Sequence, residues 1–458
     1  MIHDRMDSLT ALTESALTAA HAGQRLMAAV SGGADSVCLL LCLSSLREKG
    51  YLVSAAHVRH DLRDTARRDE LFVQDLCGRL DIPFYSAAVH VPKNGSTEEQ
   101  ARLARYQALE RICRETGADV LLLAHHQNDQ AETVLMRLIR GCGAEGLAAM
   151  KSRGAYGDMI LLRPFLSVSA EFIRSALREA GQTWCEDETN LDIRFTRNFL
   201  RHRILSPLET AFPGSVRGLC RSADILEADN DLLNLLTEDA LAEAACLAPP
   251  CRFLIPEKVK PLHPALQRRV IRRFLSDCGS EAGFEKTEEI RNALSHPPAR
   301  LNLPQGSALI FCPERIHFVP AVPEKWEIPD GFFAIGPPGQ TGDGKTCQAV
   351  PRSLFSECSI RLPRPEDLFQ PFGHRKEVRL SRFLIDRKID RPFRSFLPLI
   401  CLKNVVLWIP GVAASERLRL RPEEPSVTLT VRGRLPWERP TQEKQQEEKQ
   451  HGTQCAYL

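Results

Sequence analysis

Short apolar runs alternate with amphipathic helical stretches near the start of the chain, and this alternation limits the fold more than any other feature. The apolar runs are LMAAV (26–30), YLVSAAHV (51–58), IPFYSAAVHV (82–91) and DVLLL (119–123), and helical patterns end near Lys49 or span about 65–80, 97–116 and 128–140. Short strands separated by helices form parallel βαβ units, with helices on both faces of the sheet. Residues 1–212 are therefore predicted to form one doubly wound, parallel-sheet α/β domain.

The pattern changes after Pro213. The apolar spacing over 213–300 is typical of helices and lacks strand patterns, so we predict a helical domain there. Residues 301–350 are rich in Pro and Gly and contain short strand patterns, which indicate a strand-rich connection. Residues 351–436 mix helix and strand patterns and are predicted to form a small α+β domain. The polar residues 437–458 contain few apolar side chains, so a disordered tail is expected.

Charge and cysteine usage narrow the class of protein. Lys and Arg number 60 and Asp and Glu 58, so attraction to a nucleic acid would have to come from local clusters. Charges interrupt the first 30 positions and no apolar run approaches the roughly 20 residues of a membrane span, so a cytoplasmic protein with no membrane partner is expected. The 15 cysteines include no Cys-x-x-Cys pair, which disfavours a zinc ribbon or a cysteine-held iron–sulfur cluster.

The segment SGGADS (31–36) lies between the strand LMAAV and an apolar helix. Its glycines allow a tight turn that brings backbone N–H groups close to a phosphate, and its serines add hydroxyl donors at a helix N-terminus, which favours anions. We predict that phosphate is bound by Ser31, Gly32, Gly33, Ala34, Asp35 and Ser36, with Asp35 holding Mg²⁺. The alternative is a plain strand-to-helix turn capped by serine.

A second phosphate-binding pattern, GQTGDGKT (339–346), fits the Walker A expression letter for letter. A P-loop needs a helix that begins at its Lys-Thr pair, but Pro351 follows Thr346 within five residues. We therefore do not assign phosphate binding to this segment.

The segment AHHQNDQAET (124–133) ends the strand DVLLL and opens the next helix. Ligands of open α/β sheets bind beyond the carboxyl ends of the strands, so this segment and SGGADS are predicted to share one pocket. Asp129 and Glu132 are three residues apart on one helical face, where they are placed to grip an ammonium group or a metal ion. The spacing fits no common zinc pattern, and helix capping by Asn128 or Asp129 is compatible with the same residues.

Basic clusters occur in three places. ARLARY (101–106) precedes DVLLL, and TRNFLR (196–201) lies in a stretch, 191–221, that carries six Arg against two acids. Residues 372–394 carry eight Lys or Arg against three acids, with phenylalanines within and near them. Such clusters suit phosphate and RNA contacts, although solvated helix faces and buried phenylalanines explain them as well.

SGGADS resembles the PP-loop of the ATP pyrophosphatase superfamily, whose members cleave ATP between the α and β phosphates and adenylate a substrate. Taken with HVRHDLR (57–63), ARLARY, AHHQNDQAETVLMRLIRGCGAEGL (124–147), WCEDETN (184–190) and TRNFLR, in this order, it is similar to the tRNA(Ile)-lysidine synthetase family. The resemblance is dense over about 25–205 and weaker over 361–412, which resembles the family's C-terminal domain. Residues 215–350 match only in general character.

The resemblance implies a ligase that adenylates C2 of the wobble cytidine in an isoleucine tRNA with a CAU anticodon, after which the side-chain amine of L-lysine displaces AMP. Lysidine formation then changes both the codon read and the amino acid accepted. The resemblance further implies that residues 31–36 hold ATP with Mg²⁺ near Asp35, and that the reaction centre is lined by Arg105, His125, Asp129, Glu132 and Arg197. The helical domain would bind substrate, the C-terminal domain would bind tRNA, and a homodimer is left open.

Two alternatives remain. Another PP-loop enzyme, such as a tRNA 2-thiolase, would usually need a catalytic cysteine pair or an iron–sulfur cluster, and the lack of Cys-x-x-Cys disfavours it. A non-catalytic RNA-binding or nucleotide-sensing protein would be expected to have lost SGGADS or the acidic residues of 124–133, and both are intact.

Overall fold

The computed structural model describes residues 4–21, 23–60, 66–89, 97–157, 159–186, 193–322, 326–336, 342–421, 424–433, 435–436 and 438. The chain divides into two compact units, residues 1–231 and 232–458, which are described in turn. The division falls within the helix Ser215–Ala244, so it differs from the predicted domain boundary after residue 212. The predicted tail, 437–458, lies outside the described residues apart from Glu438.

The elements of the first unit follow the predicted alternation. The strands are β1 Arg25–Ala29, β2 Leu52–His60, β3 Phe84–Val89, β4 Val120–Leu122, β5 Arg153–Tyr156 and β6 Met159–Leu162. The helices are α1 Asp4–Ala19, α2 Ala34–Leu46, α3 Ala66–Arg79, α4 Thr97–Thr116, α5 Gln127–Ile139, α6 Ala144–Leu147, α7 Ala170–Glu179, α8 Thr196–Phe199, α9 Ser206–Ala211 and α10 Ser215–Ala244. A 3-10 turn, Arg47–Lys49, extends α2, and a π-helical turn, Leu200–Leu205, joins α8 to α9.

One six-stranded sheet forms the centre of this unit, in the order β3-β2-β1-β4-β6-β5. The neighbouring pairs from β3 to β6 are parallel, and β5 adds an antiparallel edge through its hairpin with β6. The strand order reverses between β1 and β4, which lie side by side although β2 and β3 separate them in sequence. The doubly wound parallel sheet is therefore confirmed, and the antiparallel edge is an addition that the sequence did not indicate.

Both faces of the sheet are covered, as β1 shows. Successive residues of a strand point to opposite faces, and Leu26 and Ala28 pack into the core formed with α1, α2 and α7. Met27 packs on the other face, with Tyr106 and Leu109 of α4. With both faces buried, the crevice at the carboxyl ends of β1 and β4 is the place where this topology leaves room for a ligand.

The second unit contains three antiparallel or mixed sheets with short helices between their strands. Its strands are β7 Ala245–Cys246, β8 Arg252–Leu254, β9 Arg300–Asn302, β10 Ala308–Phe311, β11 Ile316–Val319, β12 Phe333–Gly336, β13 Cys347–Pro351, β14 Ser359–Arg361, β15 Leu368–Phe369, β16 Val378–Arg379, β17 Leu399–Leu402, β18 Val405–Ile409, β19 Ala413–Ala414 and β20 Ser426–Val431. Its helices are α11 Pro256–Val259, α12 Pro264–Asp277, α13 Phe284–Ala293, α14 Arg352–Phe355, α15 Leu380–Asp386 and α16 Arg391–Arg394, with 3-10 turns at Pro304–Gly306 and Glu416–Leu418.

The middle of the chain is rich in helix, as predicted, but it also contains β7 and β8, which the sequence analysis missed. These strands are two and three residues long, too short to show an alternating pattern. They join the sheet β7-β8-β11-β10-β9, so the first part of 301–350 completes this sheet. Because β12 and β13 pair with β20, the same segment also supplies a three-stranded sheet and is more than a connection.

The C-terminal α+β region is confirmed as a sheet with the order β14-β17-β18-β15-β16, with β19 beside β18. Phe383, from the basic stretch, is buried in the core of this sheet, and Phe393 is buried against Cys251 and Phe253, so packing explains both. Thr346 leads into strand β13 and not into a helix, which agrees with the decision not to assign a P-loop there. No helix within the described ranges is both long enough and apolar enough to cross a membrane.

Candidate active site

The loop between β1 and α2 forms the turn that SGGADS predicts. Gly32 has φ +96°, a conformation that other residues rarely adopt. The Ser36 hydroxyl donates to the Gly33 carbonyl at 3.0 Å and accepts from the Ser31 N–H at 3.1 Å. Gly33 is the N-cap of α2, and within the described residues no side chain caps this end. The serines therefore brace the loop, and the first N–H groups of α2 stay available to an anion.

Asp35 lies in the first turn of α2, at the edge of the loop. Its Oδ1 atom is buried and has no hydrogen-bond partner among the described residues, and its Oδ2 atom lies 3.6 Å from His126 Nε2. Burial raises the pKa of this carboxyl, although His126 opposes the shift. A buried carboxylate oxygen without a donor is suited to a hard cation, so the predicted Mg²⁺ fits the residues present.

A cavity of about 400 Å³ opens beside this loop. Its wall combines the loop with residues of β2, α3, α4 and the segment that follows β4. These include Ser31, Gly33, Asp35, Ser36, His57, Arg59, Asp69, Arg105, Leu123 and His125. The volume is within the usual range of small-ligand sites. The two predicted segments, SGGADS and AHHQNDQAET, thus reach one cavity at the carboxyl ends of β1 and β4.

His125 and Arg105 contribute unpaired nitrogen atoms to this cavity wall. Burial lowers the pKa of His125 to about 3, so the imidazole is neutral near pH 7, and its Nδ1 atom has no partner among the described residues. Burial also lowers the pKa of Arg105. Its Nε atom is buried without a described acceptor, while its guanidinium carbon lies 5.7 Å from the Tyr106 ring centre. Both side chains have hydrogen-bonding capacity left for a ligand.

Asp129 is held by a capping box at the start of α5. The His126 N–H donates to Asp129 Oδ2 at 3.0 Å, and the Asp129 N–H donates to His126 Nδ1 at 3.4 Å. Burial raises the pKa of Asp129, but the nearby histidines, the His126 N–H and Arg201 outweigh burial and lower the pKa overall. Asn128 does not cap α5, because its Oδ1 atom accepts from the Ala170 N–H. The capping hypothesis is therefore correct for Asp129, which also remains ionised.

Glu132 is fully buried one turn further along α5. Its Oε1 atom accepts from Arg201 Nε at 2.6 Å, and Arg201 Nη2 lies 3.3 Å from Asp129 Oδ1. Burial raises the pKa of Glu132, and Arg201 opposes this shift. Glu132 Oε2 is buried with no hydrogen-bond partner among the described residues. One arginine thus bridges both carboxylates and leaves a single acceptor oxygen unused.

The structure brings the predicted residues together to different degrees. Asp35, Arg105 and His125 line the cavity, and Asp129 adjoins it through His126, whose Nε2 atom lies 3.5 Å from Asp129 Oδ2. Glu132 instead lines a neighbouring hollow of about 320 Å³ with Arg201. Arg197 lines neither space, but its charge adds to the lowering of the Arg105 pKa by burial and opposes the rise of the Glu132 pKa.

Sequence reasoning did not single out Arg201, His126 or His57. Arg201 lies four residues after Arg197, on the same helical face, and this spacing was a usable signal. His126 follows His125 directly, and only the capping geometry separates their roles. Buried His57 places Nδ1 2.8 Å from the Val30 carbonyl, and burial lowers its pKa, so it is a neutral part of the cavity wall.

Two known protein families match this chain, one in its N-terminal part and one near its C-terminus. Residues 6–208 match the PP-loop domain, and residues 358–437 match the TilS substrate C-terminal domain. The chain is 31% identical over 445 residues to the tRNA(Ile)-lysidine synthase of Geobacter sulfurreducens, covering 90% of this chain and 94% of that protein. It is 31% identical over 458 residues to the enzyme of the same name from Symbiobacterium thermophilum, covering 90% and 95%.

Among solved structures, the chain is similar to the U34-tRNA thiolase NcsA from Methanococcus maripaludis, at 16% identity over 49% of this chain and 80% of that chain. The TM-score of this likeness is 0.41. The enzymes from Geobacter sulfurreducens and Symbiobacterium thermophilum are both more than 30% identical to the chain and are matched over more than nine tenths of their length. The resemblance found in the sequence is confirmed, and the chain belongs to the tRNA(Ile)-lysidine synthase family.

Proposed function

We propose that this chain ligates the side-chain amine of lysine to C2 of the wobble cytidine in an isoleucine tRNA with a CAU anticodon, while ATP gives AMP and pyrophosphate. The observation that supports the proposal is the arrangement of the first unit. The phosphate-binding loop, Arg105 and His125 surround one cavity, and the carboxylate pair Asp129 and Glu132 lies on the helix that begins beside it. The cavity suits ATP, and the carboxylate pair suits the ammonium group of lysine.

The first chemical step is adenylation. The O2 atom of the cytidine attacks the α-phosphorus of ATP, and pyrophosphate leaves with the bonding electron pair. Negative charge on the transferring phosphate and on pyrophosphate is stabilised by N–H groups at the start of α2, by the hydroxyl of Ser31, and by Arg105, while Ser36 braces the loop. Asp35 would hold Mg²⁺, which when bound neutralises charge on the phosphates.

The second step needs a neutral amine. A lysine side chain has a pKa near 10.4, so presenting it uncharged at pH 7 costs about 4.6 kcal/mol. Asp129, whose pKa is lowered, binds the incoming ammonium group, and Glu132, whose pKa is raised, is the better proton acceptor. The amine then attacks C2, AMP leaves with the former O2 atom, and the amine proton passes to the carboxylate pair. Neutral His125 accepts a hydrogen bond at the same cavity.

The remainder of the chain would bind the tRNA. The stretch 372–394 carries a net charge of +5, and Arg375, Lys376 and Arg379 in it are exposed. Exposed cations of this kind neutralise phosphates without reading sequence. A tRNA substrate supports a cytoplasmic location for the enzyme. A homodimer is compatible with the proposed reaction.

The thiolase alternative is disfavoured by the cysteine nearest the loop. The Cys185 N–H donates to the Gly32 carbonyl at 2.9 Å, so this thiol is a neighbour of the loop. Burial raises the pKa of Cys185 to about 11, which keeps it protonated near pH 7. Because the thiolate is the nucleophilic form of cysteine, Cys185 is poorly suited to sulfur transfer.

The test combines the purified protein with Mg²⁺, ATP, labelled lysine and an unmodified isoleucine tRNA with a CAU anticodon. Incorporation of label that requires ATP, accompanied by one AMP per lysine, is expected. A methionine tRNA, which shares the CAU anticodon, is the matched control and should take up no label. AMP release without lysine incorporation would contradict the proposed nucleophile and would direct attention to another PP-loop reaction.

A further inference from the structure

A second cavity, of about 910 Å³, lies within the second unit. The β10–β11 hairpin forms one wall, and the segment 388–396, which includes α16, forms another. Much of the lining is apolar, with contributions from Ile310, Phe311 and Phe396. Small-ligand sites are usually concave and apolar with a few polar groups, and their volumes reach roughly 1,000 Å³. The established family assignment gives this cavity no role.

The charge of this cavity is strongly positive. Its lining includes five basic side chains, Arg252, Arg300, Lys388, Arg391 and Arg394, and one carboxylate, Asp390. Asp390 is already engaged, because His317 Nε2 lies 2.9 Å and Arg315 Nη1 3.6 Å from its Oδ2 atom. The lining therefore contains no further carboxylate that could pair with these cations. An apolar wall with a cationic rim complements a molecule that is part heterocycle and part phosphate.

Two of the rim arginines are held through Nε. Arg394 Nε donates to the Ile389 carbonyl at 2.8 Å, and Arg300 Nε donates to Asn302 Oδ1 at 3.0 Å. Neither bond uses the two terminal nitrogens of the guanidinium, which are the atoms that bind a phosphate in fork geometry. Arg391 and Lys388 are exposed at the same rim.

A metal ion fits this cavity less well than a phosphate. Cys312, His317 and Asp390 form the one group of described residues whose ligand atoms all lie within 4.8 Å of one another. The Arg315 guanidinium, however, lies beside the same Asp390 oxygen that would bind the metal. With five more cations around the cavity, a divalent ion would be repelled, whereas an anion would be attracted.

His317 leaves one polar atom in this wall without a partner. The ring is 1% exposed, and its Nδ1 atom has no hydrogen-bond partner among the described residues. Because Nε2 faces the Asp390 carboxylate, Nε2 carries the proton in the neutral tautomer and Nδ1 is an acceptor. Because this nitrogen is buried, the apolar wall and the cationic rim define the ligand chemistry of the cavity.

We propose that this cavity binds one unpaired nucleotide of the tRNA substrate. The base lies against the apolar wall near Phe311 and Phe396, and its phosphates lie at Arg300, Arg391 and Arg394. A free mononucleotide offers the same chemistry, but the exposed cations that continue along 372–394 favour a nucleotide within a polyanion. The identity of the RNA rests on the proposed function, whereas the nucleotide chemistry of the cavity does not.

The test removes two rim cations that are exposed and make no ion pair with a described residue. The double variant Arg300→Gln, Arg391→Gln is compared with Arg352→Gln, Arg421→Gln, which removes the same charge from exposed positions outside the cavity. The cavity variant is expected to bind unmodified isoleucine tRNA about tenfold more weakly, with a salt slope smaller by about 2, since two phosphate contacts are lost. An equal loss in both variants would overturn the proposal.

Hydrogen exchange locates the contact without assuming which nucleotide enters. Full-length protein is measured alone, with tRNA, and with millimolar cytidine monophosphate. Protection of peptides covering 308–319 and 388–396 by tRNA supports the proposal. Protection there by the mononucleotide and not by tRNA, or by neither, overturns it.

The lysine assay separates this proposal from the proposed function. If the cavity variant keeps its kcat for lysine incorporation and raises the KM for tRNA about tenfold, both proposals hold. An unchanged KM for tRNA would overturn the assignment of the cavity and leave the proposed reaction intact. Binding that depends on Arg300 and Arg391, in a protein that incorporates no lysine, overturns the reaction and leaves the cavity assignment intact.

Discussion

Arg201 donates from Nε to the Oε1 atom of Glu132 at 2.6 Å, and the two residues lie 69 positions apart in the sequence. Glu132 is fully buried, whereas the Arg201 side chain is about one third exposed. The π-helical turn Leu200–Leu205 presents Arg201 to α5. Burial raises the pKa of Glu132 and Arg201 opposes that shift, so the ion pair influences the charge of the site proposed to bind lysine.

Replacing Arg201 is expected to weaken lysine use more than ATP use. In Arg201→Gln the buried Glu132 loses its cation, so stability should fall by about 2–3 kcal/mol and the KM for lysine should rise at least about tenfold. Pyrophosphate release from ATP and tRNA in the absence of lysine should change much less. Denaturant unfolding and steady-state kinetics measure the two effects. Arg203→Gln, an exposed neighbour outside the pair, is the control and should match the wild type.

A double-mutant cycle decides whether Arg201 acts through Glu132. If it does, Glu132→Gln combined with Arg201→Gln should be less destabilised than the sum of the single variants, because no unpaired buried charge remains. Strict additivity would contradict the pairing.

Asp35 and Lys345 distinguish the two phosphate-binding patterns. Asp35→Asn keeps the side-chain shape and removes the charge, and it is expected to lower AMP formation by about 10²-fold or more. Lys345→Ala should leave activity unchanged, because Lys345 is exposed and Asp343 accepts the N–H groups of Lys345 and Thr346. Measuring AMP release for both variants is sufficient. Wild-type turnover in Asp35→Asn, or collapse in Lys345→Ala, would reverse the site assignment.

Much of the first unit was predictable because its patterns are long. α5 begins at Gln127 and ends at Ile139, within one residue of the predicted 128–140, since thirteen residues give several helical turns of signal. The meeting of SGGADS and AHHQNDQAET followed from topology alone, because parallel strands deliver their carboxyl ends to one edge of the sheet.

The features that the sequence did not predict depend on contacts between distant segments or on very short strands. The bridge from Arg201 to Asp129 and Glu132 requires the packing of two segments that no local pattern links. β8 is held by pairing with β11 and β7 by pairing with β8, and both strands are too short to show a pattern in the sequence. In the basic stretch, charge was visible in the sequence, but the burial of Phe383 depends on the fold.

The histidine at the end of β4 makes the stability of the first unit depend on pH. Burial lowers the pKa of His125 to about 3, whereas an unfolded histidine has a pKa near 6.5. Between these values the unfolded chain holds one more proton, so the free energy of unfolding should rise by about 1.4 kcal/mol per pH unit on this account, up to about pH 6.5. Above that pH the contribution is complete.

His125→Asn removes this titration and should flatten the pH dependence between about pH 4 and 6.5 by the same slope. Denaturant unfolding, followed by hydrogen exchange of peptides covering 119–139, measures the local stability in both proteins. Identical slopes for the wild type and the variant would contradict the buried neutral state of His125.

Gly32 and Gly50 separate backbone strain from ligand binding. Both have left-handed backbone conformations, with φ +96° and +90°, and a Cβ atom at Gly32 would meet Cys185 only at ordinary contact distance. Alanine at either position should therefore cost a similar 1–2 kcal/mol of stability. Only Gly32→Ala should also raise the KM for ATP, by about tenfold or more, because the strained turn would move the N–H groups that face the phosphates. Gly50 lies at the far end of α2, after its 3-10 turn, so Gly50→Ala controls for stability. Equal KM values in the two variants would mean that the loop backbone does not bind ATP, and the phosphate site would have to lie elsewhere in the cavity.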